Sequence, residues 1–198
     1  MISNQIEIYS GASTYAFVGM VRPQIGINTK NYFGNNYVLI SNFKYALPNK
    51  DPNGGSATTS SIYIGKVFHP FKYFYIRPYV GYQHLWYGPL YNNAIGGGVK
   101  FKIVYNNFFA STHIAALYGI SGTVGYHLKH PGNLYTIYGD IGYRINKSLS
   151  VFTYITQQRY VNVGSYGCNS LTYQGVGLGL KFNYWGNYVD YFKSVVLW

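Results

Sequence analysis

Few side chains in this sequence could do chemistry, and they are widely spaced. Five histidines are present: His69, His84, His113, His127 and His130. The run His127-Leu128-Lys129-His130 invites a metal or catalytic reading. In an extended chain, however, residues three apart point to opposite faces, so one shared metal would need a turn between them. No cysteine or carboxylate stands beside them, and they read as histidines on a rim next to a loop. Ser111-Thr112-His113 sets a serine close to a histidine but has no acid near it in sequence. A Ser–His–acid device works only when all three groups converge. Cys168 is alone, so no intramolecular disulfide exists, and it reads as a tolerated small residue in the loop S-Y-G-C-N-S. The sequence therefore implies no metal, no cofactor and no catalytic residues.

The charged residues are more informative. Fifteen Lys and Arg stand against four acids, Glu7, Asp51, Asp140 and Asp190, for a net charge of +11. The basic residues are scattered singly and form no run, which argues against nucleic acid as a partner. Anionic lipid headgroups or lipopolysaccharide phosphates fit isolated positive charges at the rims of a membrane protein better. Seven charges fall on one face of alternating stretches: Glu7, Arg77, Lys100, Lys102, Asp140, Arg144 and Lys181, accompanied by Tyr75, Tyr79 and Tyr138. If that face is an interior, the charges must pair, because an unpaired buried ion costs several kcal/mol. Two acids against five bases leave a surplus that must reach a rim, water or an anion.

The elements that would carry these residues show a period of two. In Thr172–Trp185, Val176, Leu178, Leu180 and Phe182 share one face, and Gly175, Gly177, Gly179 and Lys181 share the other. Strand side chains alternate between faces, so this is an apolar stripe backed by a small, polar face. The pattern predicts lipid outside and a confined polar lumen inside. Phe74, Ile76, Val99, Phe101, Ile137 and Ile141 repeat the apolar stripe in three further segments and are expected to face lipid together with the first four.

Composition agrees with a membrane barrel. Only 10% of residues are charged, against roughly 25% in soluble domains. Tyr (25) and Phe (12) are abundant enough for interfacial girdles, and no apolar run reaches the length of a membrane helix. Short turns are expected at Gly34, Pro70, Asn106 and Lys147, and longer loops at 48–59, 86–93, 128–133 and 162–171. Ser10–Thr14 reads as a turn or bend, and Arg22-Pro23 as a strand interruption. The glycines of Phe108–His127 predict a kink or bulge. The tail after Trp185 fits a further strand or an interfacial helix. Met1–Ser10 has neither a basic nor an apolar segment and reads as lying at or near a mature N-terminus. The expected fold is all-β: one antiparallel up-and-down transmembrane β-barrel spanning 1–198, with about eight to twelve strands and ten as the best count.

These strands, and the segment G-V-G-L-G-L-K-F-N-Y-W in particular, resemble small outer-membrane β-barrel proteins of Gram-negative bacteria. The resemblance is a pattern across most of the chain and implies an outer-membrane location. It implies a structural, narrow-pore or surface-interaction role, with membrane lipid or lipopolysaccharide as partner and homo-oligomers left open. One branch of the class, the lipid A deacylases, carries a His-x-Ser pair with an acid about a dozen residues on. Here Lys129 stands where the serine would follow His127, with Asp140 downstream, so the nucleophile is missing. Two alternatives stay open: an extracellular filament or lattice subunit whose aromatic faces bury against copies of itself, and a lipid-modifying hydrolase.

Overall fold

A computed structural model describes residues 4–15, 21–48, 56–87, 90–123, 132–161 and 170–184. Cys168, His127, His130 and the tail 186–198 lie outside the described residues. The strands are β1 (Asn4–Tyr15), β2 (Val21–Phe33), β3 (Tyr37–Ala46), β4 (Ala57–Lys66), β5 (Phe68–Phe71), β6 (Phe74–Tyr87), β7 (Leu90–Tyr105), β8 (Phe108–Thr123), β9 (Asn133–Arg144), β10 (Leu149–Val161) and β11 (Ser170–Tyr184). β1 to β4 pair in order, β4 pairs onto β6, β6 to β11 pair in order, and β11 returns to β1, always antiparallel. Ten long strands thus close into a single up-and-down barrel, and closure removes the exposed edges that an open sheet would leave. The four-residue β5 pairs only with β6 and stands outside that ring.

Alternation in the sequence becomes inside and outside in the barrel. β10 alternates buried and exposed positions almost without a break, and the first seven residues of β2 do the same. The outer wall is aliphatic at mid-height, with Ile8, Ile25, Ile114, Ile155 and Leu178 exposed. Aromatic residues flank that belt. Trp86, Tyr91, Tyr118 and Tyr135 stand toward one end, and Phe71, Tyr73, Tyr105, Phe108 and Tyr143 toward the other. Strands of 10 to 16 residues match or exceed the roughly 9–11 that cross a bilayer.

One end of the barrel is closed by tight turns. Gly34 (φ 38°) and Asn36 (φ 66°) carry the β2–β3 turn, and Asn106 (φ 52°) the β7–β8 turn, using the residue types that tolerate left-handed backbone. Asn146 Oδ1 accepts from the Ser148 and Leu149 amides at 2.8 Å and shapes the β9–β10 turn.

Several local expectations are corrected by pairing. Ser10–Thr14 is the continuous second half of β1, hydrogen-bonded on both sides to β2 and β11. Its small residues serve a close backbone approach, Gly11 facing Gly177, rather than a bend. Pro23 does not break β2. It lies one residue past the β2–β3 ladder, where a missing donor costs least, and its carbonyl accepts from the Leu47 amide at 2.9 Å. The short turn expected at Pro70 falls later, because β5 runs to Phe71 and Lys72–Tyr73 make the turn. The expected loop at 86–93 is mostly strand, with β6 reaching Tyr87 and β7 starting at Leu90. The expected bulge in β8 is present: Asn93 pairs with Ser121 and Ala94 with Gly119, leaving Ile120 as the extra residue.

Candidate functional site

The inner face is a candidate site because every charge on it was placed there by strand register. Glu7 on β1 is ion-paired to Lys30 on β2, accepts from Asn28 Nδ2 at 2.8 Å and lies 3.5 Å from Lys181 Nζ on β11. Asp140 on β9 is ion-paired to the same Lys181, lies 3.3 Å from Lys100 Nζ on β7, and accepts from Ser111 Oγ on β8. Lys181 therefore bridges the two carboxylates, and one network ties six strands together. Both carboxylates are buried, at 4% and 2% exposure, so each of their oxygens needs such partners.

Of the seven charges expected in the lumen, Glu7, Lys100, Asp140 and Lys181 join this network. Arg77, Lys102 and Arg144 line the same chamber, a cavity of about 460 Å³ toward the tight-turn end, but make no ion pair among the described residues. Lys30, Lys44 and Arg22 were not expected there. They face inward at 4%, 7% and 1% exposure. An interruption at Arg22-Pro23 hides the phase of β2 that places Arg22 and Lys30 on the inner face. Lys44 Nζ lies 3.7 Å from the centre of the Tyr173 ring and 3.5 Å from Gln158 Oε1.

Above the charges, a chain of rings crosses the barrel. Tyr63 meets Tyr79 at 5.1 Å, Tyr79 meets His113 at 6.0 Å, His113 meets Tyr138 at 5.1 Å, Tyr138 meets Tyr154 at 5.9 Å, and Tyr154 meets Tyr9 at 5.2 Å. These rings surround a second cavity of about 110 Å³. Their room comes from glycine. In the register, Tyr9 faces Gly26, Tyr63 faces Gly81, Tyr79 faces Gly98, Phe109 faces Gly142, Phe152 faces Gly179 and Tyr154 faces Gly177. At each of these glycines a Cβ would come within 3 Å of the facing aromatic residue, and at Gly81, Gly98 and Gly177 it would lie closer still to the carbonyl of Ile62, Ile114 or Ser10. The small inner face of β11 is thus filled by rings from the neighbouring strands. Toward the longer-loop end part of the interior is apolar, with Leu85, Leu117, Leu134 and Tyr160 in one cluster, while Arg22, Gln24 and Asn92 are buried at the same end.

The ten residues expected to face lipid all point away from this interior. Ile137, Ile141, Val176, Leu178, Leu180 and Phe182 are exposed. Phe74, Ile76, Val99 and Phe101 share that outer face and shelter one another, Phe74 and Phe101 stacking at 6.2 Å.

No family model matches the chain, and no curated protein does. Solved structures do. The outer membrane protease OmpT from Escherichia coli matches with a TM-score of 0.69 at 10% identity, over 92% of this chain and 97% of that one. The NanC porin matches with a TM-score of 0.50 at 10% identity, over 89% of this chain and 98% of that one. The chain has the fold of an outer-membrane β-barrel. A protease and a porin share that backbone, so the role of this barrel rests on its own side chains.

Those side chains bear on hydrolysis. Asp140, remote from Ser111 in sequence, is brought against it by the β8–β9 register. Ser111 Oγ donates a hydrogen bond directly to Asp140, and no hydrogen bond joins His113 to either among the described residues. His113 is held instead between Tyr79 and Tyr138. Among the described residues no three metal-ligating side chains gather.

Proposed function

We propose that this barrel sits in the outer membrane, with its aliphatic belt in lipid and its aromatic rings at the two interfaces, and acts as a narrow, non-catalytic path that favours anions. One observation carries the reading. Among the described residues, eight cations face the lumen (Arg22, Lys30, Lys44, Arg77, Lys100, Lys102, Arg144 and Lys181) against two carboxylates, Glu7 and Asp140. A low-dielectric wall focuses such a surplus, raising the local concentration of anions and repelling cations. The apolar belt supports the location: exposed Ile, Leu and Val over this much wall would be unfavourable in water. Rim cations such as Lys66, Lys72 and Lys147 suit lipid or lipopolysaccharide phosphates.

Planar-bilayer recording of the detergent-extracted chain tests the proposal. The expected result is a small conductance whose reversal potential in a salt gradient lies on the anion side. Cation preference, or no current at any potential, would remove the anion path. Recovery of the folded protein as a detergent-free polymer would favour the filament reading, in which the same belt is buried against copies of the chain.

A further inference from the structure

Beneath the ring layer, several cations meet with little to oppose them. Arg77 on β6 lies directly across from Lys100 on β7, and Lys102 follows two residues along the same inner face. Like charges directly opposite one another destabilise a ladder. Lys100 is answered by Asp140 at 3.3 Å. Arg77 shares a side-chain hydrogen bond with Tyr32, yet its Nε, in a residue only 9% exposed, has no hydrogen-bond partner. The Lys102 ammonium has an aromatic neighbour, the Phe109 ring at 5.4 Å, and makes no ion pair among the described residues. Arg144 enters the chamber from β9. Among the described residues, six cations line this cavity of about 460 Å³, and the two carboxylates bound to them leave a surplus of four positive charges.

We propose that this chamber is a binding site for a phosphate-class dianion, with the Arg77 guanidinium and Lys102 ammonium as its main ligands and Lys100 and Arg144 flanking them. A guanidinium presents a planar fork that matches a tetrahedral oxyanion, and an ammonium adds a point charge with three donors. A dianion would give Arg77 Nε an acceptor and relieve the repulsion between β6 and β7. The volume falls in the range of small-ligand sites, so a phosphate carrying a modest organic group also fits. The chamber lies toward the tight-turn end, which in outer-membrane barrels is the periplasmic side. The phosphate can come from a soluble phosphoester there or from a lipid headgroup. The site rests on the reading of the lumen as anion-favouring and makes it specific.

The test uses the full chain, refolded in lipid-free detergent and separately in nanodiscs of phosphatidylcholine alone or with phosphatidic acid, whose phosphomonoester headgroup can carry two charges. Inorganic phosphate and glycerol 3-phosphate are titrated calorimetrically at constant low ionic strength. Saturable one-to-one binding is expected, weakened at least about tenfold by R77Q and by K102Q and unchanged by R159Q on the outer wall. The unliganded R77Q and K102Q barrels should be as heat-resistant as the parent or more so, while phosphate should stabilise only the parent. A merely structural role for these side chains predicts the opposite. Binding in detergent identifies a soluble phosphate. Stabilisation only by phosphatidic acid, lost in the same two variants, identifies a headgroup. No binding from either source, or binding indifferent to both substitutions, overturns the site. Phosphate binding without bilayer conductance removes the pore and leaves the site, whereas anion-selective current without phosphate binding removes the site alone.

Discussion

Replacing Asp140 by Asn is expected to be among the most damaging single changes in the wall. The carboxylate is 2% exposed and answers three donors: Lys181, Lys100 at 3.3 Å and Ser111. Asn keeps the shape and one acceptor oxygen but removes the charge. Lys181 retains Glu7 at 3.5 Å, so part of its compensation survives. Lys100 loses its only ion pair among the described residues while remaining buried beside Arg77. Breaking a buried pair by removing one partner costs roughly 3–5 kcal/mol, because the other charge is left uncompensated. D140N should therefore lower unfolding free energy by about 3 kcal/mol or more, measured in urea by the loss of heat-modifiable gel migration in detergent or lipid. K100M made alone removes the cation and should cost less. The D140N/K100M double variant should recover much of the loss, with a coupling of about 1.5 kcal/mol or more in the cycle. If D140N falls within about 0.5 kcal/mol of the parent, or the double variant is simply additive, the pair is not an uncompensated-charge device and the reasoning fails.

Three further outcomes follow from the wall and its filling. A Cβ at Gly177 would lie 2.7 Å from Gly11 Cα and 2.8 Å from Tyr154 Cε1, so G177V should cost about 1–3 kcal/mol or prevent folding, read by refolding yield; a normal yield would show that the wall yields there. Leu178, 68% exposed on the outer face, should tolerate Arg poorly in a bilayer, by about 2–4 kcal/mol, and a loss under about 0.5 kcal/mol in lipid would place that face outside the membrane. Tyr154 stands between Tyr9 and Tyr138 in the ring layer, so Y154A should raise single-channel conductance several-fold, and an unchanged conductance would locate the constriction elsewhere.

Much of the architecture is legible in the sequence. Alternation in Phe74–Tyr82, Ile95–Tyr105, Tyr135–Ile145 and Thr172–Tyr184 assigns inner and outer faces because strand side chains alternate locally, whatever the partner strand. Turn positions at Gly34, Asn106 and Lys147 were readable because backbone tolerance is also local. Errors arose where local chemistry and pairing disagree. Ser10–Thr14 looks like a bend until Gly11 is seen against Gly177, and Pro23 looks like a break until its place past the ladder is known.

The sequence by itself determined that the chain is a two-faced β-wall with an apolar outside and a basic interior, since both follow from period and composition. Only the tertiary structure decided which charges meet. Asp140 reaches Lys100, Ser111 and Lys181 across register between strands far apart in sequence, and one slip would turn each of these side chains to the other face. The same register decides that the inner glycines are roofed by aromatic rings rather than left as open space. It also decides that Arg77, Lys102 and Arg144 face a chamber instead of a carboxylate, because pairing between distant strands is a property of the closed barrel and not of any one of them.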